Sequence, residues 1–238
     1  MHCSAYDKVQ AMIDGYLGDV QSQALTFVEI GSKVVEATQF DIKPLLTETQ
    51  WDYIGVDIEA GNNVDVVLDN PYDWQEIKDN SVDVILANQV FEHIEFPWIT
   101  ISEIKRVLKP RGLALIVTPA GGIEHRWPYD CWRIYPDGWQ ALCKHAGLHV
   151  VETYTQWQPL YYHDGSDKWQ DSCLVAQKEA GDGASLLPAM ENRRVLEAYA
   201  KKRSQTHGGL NLKYRRKTAS RHLRGLMKAL FLPARLSN

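Results

Sequence analysis

The strongest constraint on the fold is a series of short apolar runs, separated by helix-type segments, between about residues 25 and 178. Five of the runs are rich in Val, Ile and Leu almost from end to end, which indicates strands buried on both faces of a parallel sheet. Two further runs complete the series. The predicted strands are residues 24–30, 51–58, 64–69, 82–88, 113–119, 148–154 and 171–177.

Helix-type segments lie between the predicted strands. Residues 98–109 place apolar side chains on one helical face after Pro97, and residues 136–147 do the same before Gly147. Strands joined by crossover helices predict a right-handed, doubly wound, mostly parallel α/β sheet of seven strands, a Rossmann-like architecture.

The charge of the chain is unevenly distributed. The 238 residues carry a formal net charge of -4, but residues 191–238 hold 13 Lys and Arg against two acidic residues, so the remainder is strongly acidic. A body and a tail of opposite charge need separate explanations. We predict a helical lead-in over residues 1–23, an α/β domain over 24–179, a linker over 180–190 and a basic amphipathic helical tail over 191–238.

The basic tail contains a predicted helix at residues 219–232 whose apolar side chains form one stripe, with Arg and Lys beside it. Three interpretations stay open: the stripe packs on the body or on a second subunit, it contacts a membrane surface or a protein partner, or the tail binds RNA. The apolar stripe and the acidic body disfavour nucleic acid as the partner.

Composition predicts a soluble, reduced protein. Apolar residues make up 45% and charged residues 24%, and no stretch reaches the ~18 consecutive apolar residues of a membrane-spanning helix. The four cysteines are far apart and form no CxxC pair, which predicts free thiols rather than a disulfide frame or a cysteine zinc site. We therefore expect a cytoplasmic protein without a bound metal, whose tail could attach it peripherally to a membrane surface.

Polar residues and glycines follow four successive strands, where ligands bind in doubly wound parallel sheets. A glycine such as Gly31 lets the backbone approach a ligand closely, and an acid such as Glu29 can hold an ammonium group. Asp57 is placed to accept from two ribose hydroxyls, and Asp69 could accept from an exocyclic adenine amine. Asn88 and Gln89 follow the fourth strand.

Four segments of the chain resemble the motifs of one family. These are VEIGSK, YIGVDIEAG, VDVVLDNPYD and the long stretch SVDVILANQVFEHIEFPWITISEIKRVLKPRGLALIVTP. The family is the class I S-adenosylmethionine-dependent methyltransferases, of the broad type 11 group, and the likeness covers residues 25–178. It implies a Rossmann-like methyltransferase domain with S-adenosyl-L-methionine as cofactor. The cofactor-binding residues it implies are Glu29, Gly31, Ser32, Asp57, Ile58, Asp69, Asn88 and Gln89.

The first motif departs from the family pattern. Family members usually continue with two more glycines (GxGxG), whereas Ser32-Lys33-Val34-Val35 follows Gly31 here. Since β-branched residues do not adopt positive φ cheaply, this loop must follow a different path. The departure motivates an alternative, a non-catalytic scaffold that docks through its tail to a membrane or a glycan-assembly complex. A dehydrogenase is disfavoured because no GxGxxG follows the first strand.

The methyl acceptor is predicted from residues 121–136, which are rich in Trp, Tyr, Arg and His. Flat aromatic faces beside hydrogen-bonding groups suit a saccharide or another small polar ring, and the PxDxWR pattern resembles that of methyltransferases found beside glycan-assembly enzymes. The candidate bases for O-methylation are His93, His125 and Asp130. The candidate substrate-binding residues are Arg126, Tyr129, Trp132 and Arg133.

Structural roles were equally open for these residues. In one alternative, the segment is a surface loop with Trp127 and Trp132 anchored in the core and Arg133 paired with Asp130, and His93 caps the next helix. A second aromatic cluster at residues 157–169 could form a wall of the acceptor site or pack inside the domain. An RNA methyltransferase is a further alternative, for which the sequence offers no RNA-binding module.

Overall fold

The computed structural model describes residues 2–35, 41–181 and 185–205. Seven strands form one sheet in the order β3-β2-β1-β4-β5-β7-β6, which confirms the predicted doubly wound architecture. Strands β1 to β5 pair in parallel, whereas β7 lies antiparallel between β5 and β6. The strands are β1 (Thr26–Ile30), β2 (Asp52–Asp57), β3 (Val66–Val67), β4 (Val82–Asn88), β5 (Leu108–Thr118), β6 (Leu148–Thr155) and β7 (Ser172–Lys178).

Helices cover both faces of the sheet. They are α1 (Cys3–Met12), α2 (Lys43–Leu46), α3 (Pro97–Val107), α4 (Pro136–Ala146) and a helical segment over residues 195–205, which we call α5. A π-helical turn (Ile13–Leu17) extends α1, and short 3-10 turns occupy Phe91–His93 and Ser166–Trp169. Pro97 begins α3, and α4 ends at Gly147, whose φ of 72° lets its N–H close the helix on the Cys143 carbonyl.

Two hydrophobic clusters lie on opposite faces of the sheet. One is formed with α3 and α4, whose side chains Ile101, Ile104 and Trp139 are fully buried. The other is formed with α1 and with the segment that follows β7, where Leu187, Met190 and Leu196 are buried. The buried residues after β7 therefore pack on the acidic body.

Two predicted strand boundaries were wrong, for identifiable reasons. The run 64–69 yields only the two-residue edge strand β3, because Asp65 uses its side chain to accept from the Gly55 N–H and the chain then turns at 70–73. Strand β5 begins earlier than predicted, at Leu108, with a register irregularity opposite Val82/Val84 that absorbs the Pro-Arg-Gly sequence.

Within residues 2–35, 41–181 and 185–205, no helix has the length and apolar character required to cross a membrane. The predicted helix at 219–232 lies outside the described residues. Its membrane, protein and RNA interpretations stay predictions.

Candidate active site

The candidate site lies at the carboxyl edge of the sheet, where the strand order reverses between β1 and β4. Ile30 pairs with Val56 on one side and with Ala87 on the other. The next residue of each strand therefore reaches the same edge, which brings Gly31, Asp57 and Asn88 side by side. This switch point is where doubly wound sheets bind their ligands.

Gly31 makes a turn that other residues would strain. Its φ is 71°, and its N–H donates to the Val56 carbonyl at 2.9 Å. A Cβ added at this position would lie 2.3 Å from Cγ2 of Val90, far inside van der Waals contact. Both the positive φ and the lack of room for a Cβ therefore favour glycine at position 31.

The loop after Gly31 runs along β2, a path that fits the missing glycines. Three successive amides donate to β2 or to the segment after it: Ser32 N to the Val56 carbonyl, Lys33 N to the Asp57 carboxylate and Val34 N to the Asn62 carbonyl, at 3.0–3.1 Å. Because these amides are already bonded, they are not available to a ligand as an N–H cradle. The ammonium group of Lys33 also pairs with Glu59 at 2.6 Å.

Asp57 retains capacity to accept further hydrogen bonds. One of its oxygens accepts from the Lys33 N–H at 3.0 Å and the other from the Glu59 N–H at 3.2 Å. A carboxylate offers about four lone-pair positions, so two remain for the hydroxyls of a ribose. Asp57 is partly exposed, and Ile58 and Asp69 are exposed beyond it.

Glu29 lies near the end of β1, just before Ile30 and Gly31. Its carboxylate is buried and accepts a short hydrogen bond from the Tyr53 hydroxyl. Burial raises the pKa of Glu29 to about 7, although the Tyr53 hydrogen bond opposes that shift. The described contacts of Glu29 thus include a tyrosine hydroxyl, and the side chain is easily protonated.

Buried polar atoms without a protein partner mark this edge of the sheet. Both the oxygen and the nitrogen of the Asn88 side chain are buried and make no hydrogen bond to a described residue, and the same holds for Ser32 Oγ. Burying such groups costs free energy unless a partner is supplied. The neighbouring Gln89 instead bonds to His2 and Asp171, which connects the N-terminus of α1 to the site.

A second cluster follows β4 and joins Glu92, His93 and His125. Glu92 is fully buried; its Oε2 accepts from the Thr118 hydroxyl at 2.6 Å, while its Oε1 has no hydrogen-bond partner among the described residues. His93 Nδ1 lies 2.5 Å from the Tyr129 carbonyl, and His93 Nε2 lies 3.7 Å from Glu92 Oε1.

Burial shifts the acid–base properties of this cluster toward neutral groups. It raises the pKa of Glu92 to about 7 and lowers the pKa of His93. The His93 and His125 rings meet edge to face with centroids 5.1 Å apart. The cluster therefore contains two imidazoles and one carboxyl group. The carboxyl group, that of Glu92, can take up or release a proton near neutral pH.

Asp130 is held by Arg133. The guanidinium forms two hydrogen bonds to the carboxylate, at 2.5 and 2.8 Å, and also donates to the carbonyls of Gly121 and Ile123. This pairing lowers the pKa of Asp130 to about 2. A carboxylate of such low basicity is a weak candidate base, and these contacts give Arg133 a role in shaping the loop.

The other predicted substrate residues lie on the surface. Trp132 is 38% exposed, donates from its indole nitrogen to the Ile94 carbonyl and meets Trp98 edge to face. Trp127 is 62% exposed, so the alternative in which both tryptophans anchor the loop in the core is wrong. Tyr129 is also exposed, and Arg126 pairs with Glu124 in an exposed ion pair.

The second aromatic cluster divides between packing and the site. Tyr162 is buried and its hydroxyl bonds to Asp7 of α1. Trp169 instead stacks on His2 and lies 4.8 Å from the His125 ring, measured between centroids. Sequence reasoning assigned no role to Glu92 or His2, although Glu92 stands in the FEHI segment beside His93.

The comparisons with known proteins agree with this geometry. The family model described as a methyltransferase domain matches residues 22–116, a range that contains β1 to β4, most of β5 and the switch point. The matched residues make up less than half of the chain, and over them the chain is similar to a methyltransferase domain. The comparison with curated proteins finds no match.

Solved structures share the fold of this chain at low sequence identity. The [4+2]-cyclase SpnF has a TM-score of 0.55 at 14% identity, over 74% of this chain and 82% of that one. A sarcosine dimethylglycine methyltransferase from Galdieria sulphuraria gives 0.54 at 16%, over 73% and 85%. The 1,6-didemethyltoxoflavin-N1-methyltransferase of Burkholderia thailandensis, solved with S-adenosylhomocysteine, gives 0.52 at 14%, over 74% and 79%. Since these structures differ in reaction and acceptor, they are evidence of the fold alone.

Proposed function

We propose that this protein transfers a methyl group from S-adenosylmethionine to an oxygen of a saccharide or similar small polar acceptor. The observation that carries the proposal is the set of polar groups at the switch point between β1 and β4. There Asn88 is buried with both side-chain polar atoms unpaired within the described protein, beside Gly31 and Asp57. A polar ligand bound at this edge would satisfy atoms that otherwise destabilise the fold.

The chemistry of the side chains at this edge fits the cofactor. Asp57 would hold the ribose hydroxyls, Asp69 the adenine amine and Asn88 the amino-acid end, with Gly31 permitting close contact. S-adenosylmethionine supplies an electrophilic methyl group on a sulfonium. The amides after Gly31 are bonded to β2 or to the segment after it, so side chains such as Asn88 and Ser32 must replace the usual backbone donors.

The acceptor would bind over the loop of residues 121–136. Trp132, Trp98 and Phe96 are 38–42% exposed and form a chain of aromatic contacts. Such faces stack on sugar rings while nearby polar groups select hydroxyls. His93 and His125 lie at the edge of the same loop, where an acceptor hydroxyl has to lose its proton.

The scaffold alternative is favoured by one observation. The amides of Ser32, Lys33 and Val34 are bonded within the protein, and a domain that only carries its tail to a partner needs no such donors for a cofactor. This alternative predicts no methyl transfer to any acceptor.

The test is a turnover assay with methyl-labelled S-adenosylmethionine and matched acceptor panels. We would compare sugars and nucleotide sugars with amines and total RNA, and measure both the labelled product and released S-adenosylhomocysteine. Asp57→Asn should lose activity because the ribose contact weakens, while Asp14→Asn, an exposed aspartate near the N-terminus, should retain it. Labelling confined to amines or RNA would contradict the proposed acceptor, and no labelling at all would favour the scaffold.

A further inference from the structure

We propose that Glu92, His93 and His125 bind a divalent first-row transition metal ion, of which Zn²⁺ is the best match. Each residue offers one ligand atom, and the three atoms lie within 4.8 Å of one another. Two histidines and one carboxylate form a donor set that zinc uses in sites that keep a position open. The sequence suggested no such site because its cysteines showed no metal-binding spacing.

The hydrogen bonding of His93 directs its free nitrogen into the cluster. Nδ1 lies 2.5 Å from the Tyr129 carbonyl, which can only accept, so this nitrogen carries the proton. Nε2 of the neutral ring is then a lone-pair acceptor. A backbone carbonyl that fixes the tautomer in this way is the usual outer contact of a histidine that binds a metal.

Glu92 places a second acceptor, its Oε1, near the Nε2 of His93. Its side chain is completely buried, Oε2 is bonded to Thr118, and Oε1 has no hydrogen-bond partner among the described residues. Oε1 lies 3.7 Å from His93 Nε2, beyond hydrogen-bond distance. When Glu92 is ionised, these two acceptors face each other and repel unless a cation or a donor lies between them.

His125 completes the set from the loop of residues 121–136. Its Nδ1 lies 3.4 Å from Asp130, and Asp130 is fixed by Arg133. His125 Nδ1 is buried and makes no hydrogen bond to a described residue, so it lacks the partner that a buried ring nitrogen requires, while Asp130 accepts from the His125 backbone N–H instead. The positive charge of Arg133 near the cluster is balanced by the same carboxylate.

The distances allow closure around an ion. For three atoms at the corners of a triangle with sides of 4.8 Å, ligand bonds of about 2.1 Å require each atom to move inward by about 0.7 Å. Side-chain torsions on a surface loop can supply that movement for His125. Three protein ligands leave at least one position for an oxygen of water or of the acceptor.

The catalytic role of the ion rests on the proposed function, whereas its binding does not. An acceptor hydroxyl on the open position would lose its proton to solvent water more readily, since a bound divalent zinc lowers the pKa of a coordinated oxygen. His93 and His125 would then act as ligands instead of bases. The experiment below measures binding of the metal itself, so it can fail while methyl transfer stands.

The test is a titration of the metal-stripped full-length protein with Zn²⁺ by calorimetry, and with Co²⁺ by visible absorption. We expect one high-affinity equivalent per chain. Glu92→Gln keeps the shape and the Thr118 hydrogen bond but removes the anionic ligand, so it should weaken binding by ~10–100-fold or more. His125→Ala should do the same and should remove the Co²⁺ spectrum.

Controls separate this cluster from other binding groups. His149→Ala removes an exposed histidine on β6, and Cys3→Ser removes a thiol that lies 3.7 Å from the ring of His163. Both should leave the high-affinity equivalent unchanged. The proposal is overturned if wild type binds no ion, or if Glu92→Gln and His125→Ala bind as tightly as wild type while folded by circular dichroism. S-adenosylhomocysteine binding in the same samples reports separately on the cofactor site.

Discussion

Substituting Gly31 by alanine gives a quantitative test of the turn that follows β1. The new side chain would meet two costs. The φ of 71° lies in the left-handed region, which costs an L-residue about 1–2 kcal/mol. The added Cβ would also lie 2.3 Å from Val90 Cγ2, and overpacking of this kind costs about 1–3 kcal/mol. We expect Gly31→Ala to lower the free energy of unfolding by about 2–5 kcal/mol.

Gly165 supplies a matched control. Its φ is 72°, but a Cβ there would meet no atom within 4 Å. Gly165→Ala should therefore show the backbone cost alone. A double-mutant cycle with Val90→Ala isolates the clash, because truncating Val90 removes the methyl group that the new Cβ meets. We expect a coupling of about 1–3 kcal/mol between Gly31→Ala and Val90→Ala.

The assay is equilibrium urea denaturation of the four variants of the cycle and of Gly165→Ala, with S-adenosylhomocysteine binding measured on the folded samples. Gly31→Ala should also bind more weakly, because the loop must move away from Val90. The reasoning would be refuted if Gly31→Ala cost no more than Gly165→Ala and the cycle were additive.

Two further predictions concern buried charge. Burial raises the pKa of Glu29 to about 7 from 4.5, so its contribution to stability is fully present below pH ~4.5 and is lost as pH rises through 7. In Glu29→Gln the side-chain carbonyl can still accept from Tyr53. This variant should have the same free energy of unfolding as the wild type below pH ~4.5 and a free energy about 3 kcal/mol higher above pH ~7, measured by denaturation across pH. Wild type and variant profiles of stability against pH that coincide would contradict this prediction. Arg133→Met removes the pair with Asp130 and should destabilise the protein by about 1–3 kcal/mol. Lost turnover at unchanged stability would instead assign Arg133 to the substrate.

Much of the fold could be predicted because burial leaves a clear pattern in the sequence. Strand β4 is predicted to the residue, since all seven of its side chains are buried and polar residues follow at once. Helix α4 shows Pro at its start and Gly147 at its end. The edge strand β3 was predicted too long. The apolar run at residues 64–69 does not reveal that the side chain of Asp65 accepts from the Gly55 N–H, or that the chain turns soon after Val67.

The common edge of the candidate cofactor-binding residues could also be predicted, because topology alone brings the ends of parallel strands to one edge. The contacts that these residues make within the protein could not be predicted. Glu29, for example, accepts from the hydroxyl of Tyr53, a residue of the neighbouring strand. Such a contact depends on register and side-chain packing rather than on position within a motif.

The Glu92 cluster lay beyond sequence reasoning for a related reason. His125 reaches Glu92 and His93 only because a long loop folds back, with the Glu92 carbonyl accepting from the amides of Cys131 and Trp132. His2 reaches Gln89 across 87 positions of sequence. Contacts at such separations follow from the assembled fold and have no local signal.

The measurement that tests the account most directly is calorimetric titration of S-adenosylhomocysteine into wild type and Asp57→Ala, with Asp14→Ala as the control. We predict binding in the wild type, a loss of about 1–3 kcal/mol in Asp57→Ala from the missing charge-assisted hydrogen bonds, and no change in Asp14→Ala. Absence of binding to the folded wild type, or equal binding by Asp57→Ala, would contradict a cofactor site at the switch point between β1 and β4.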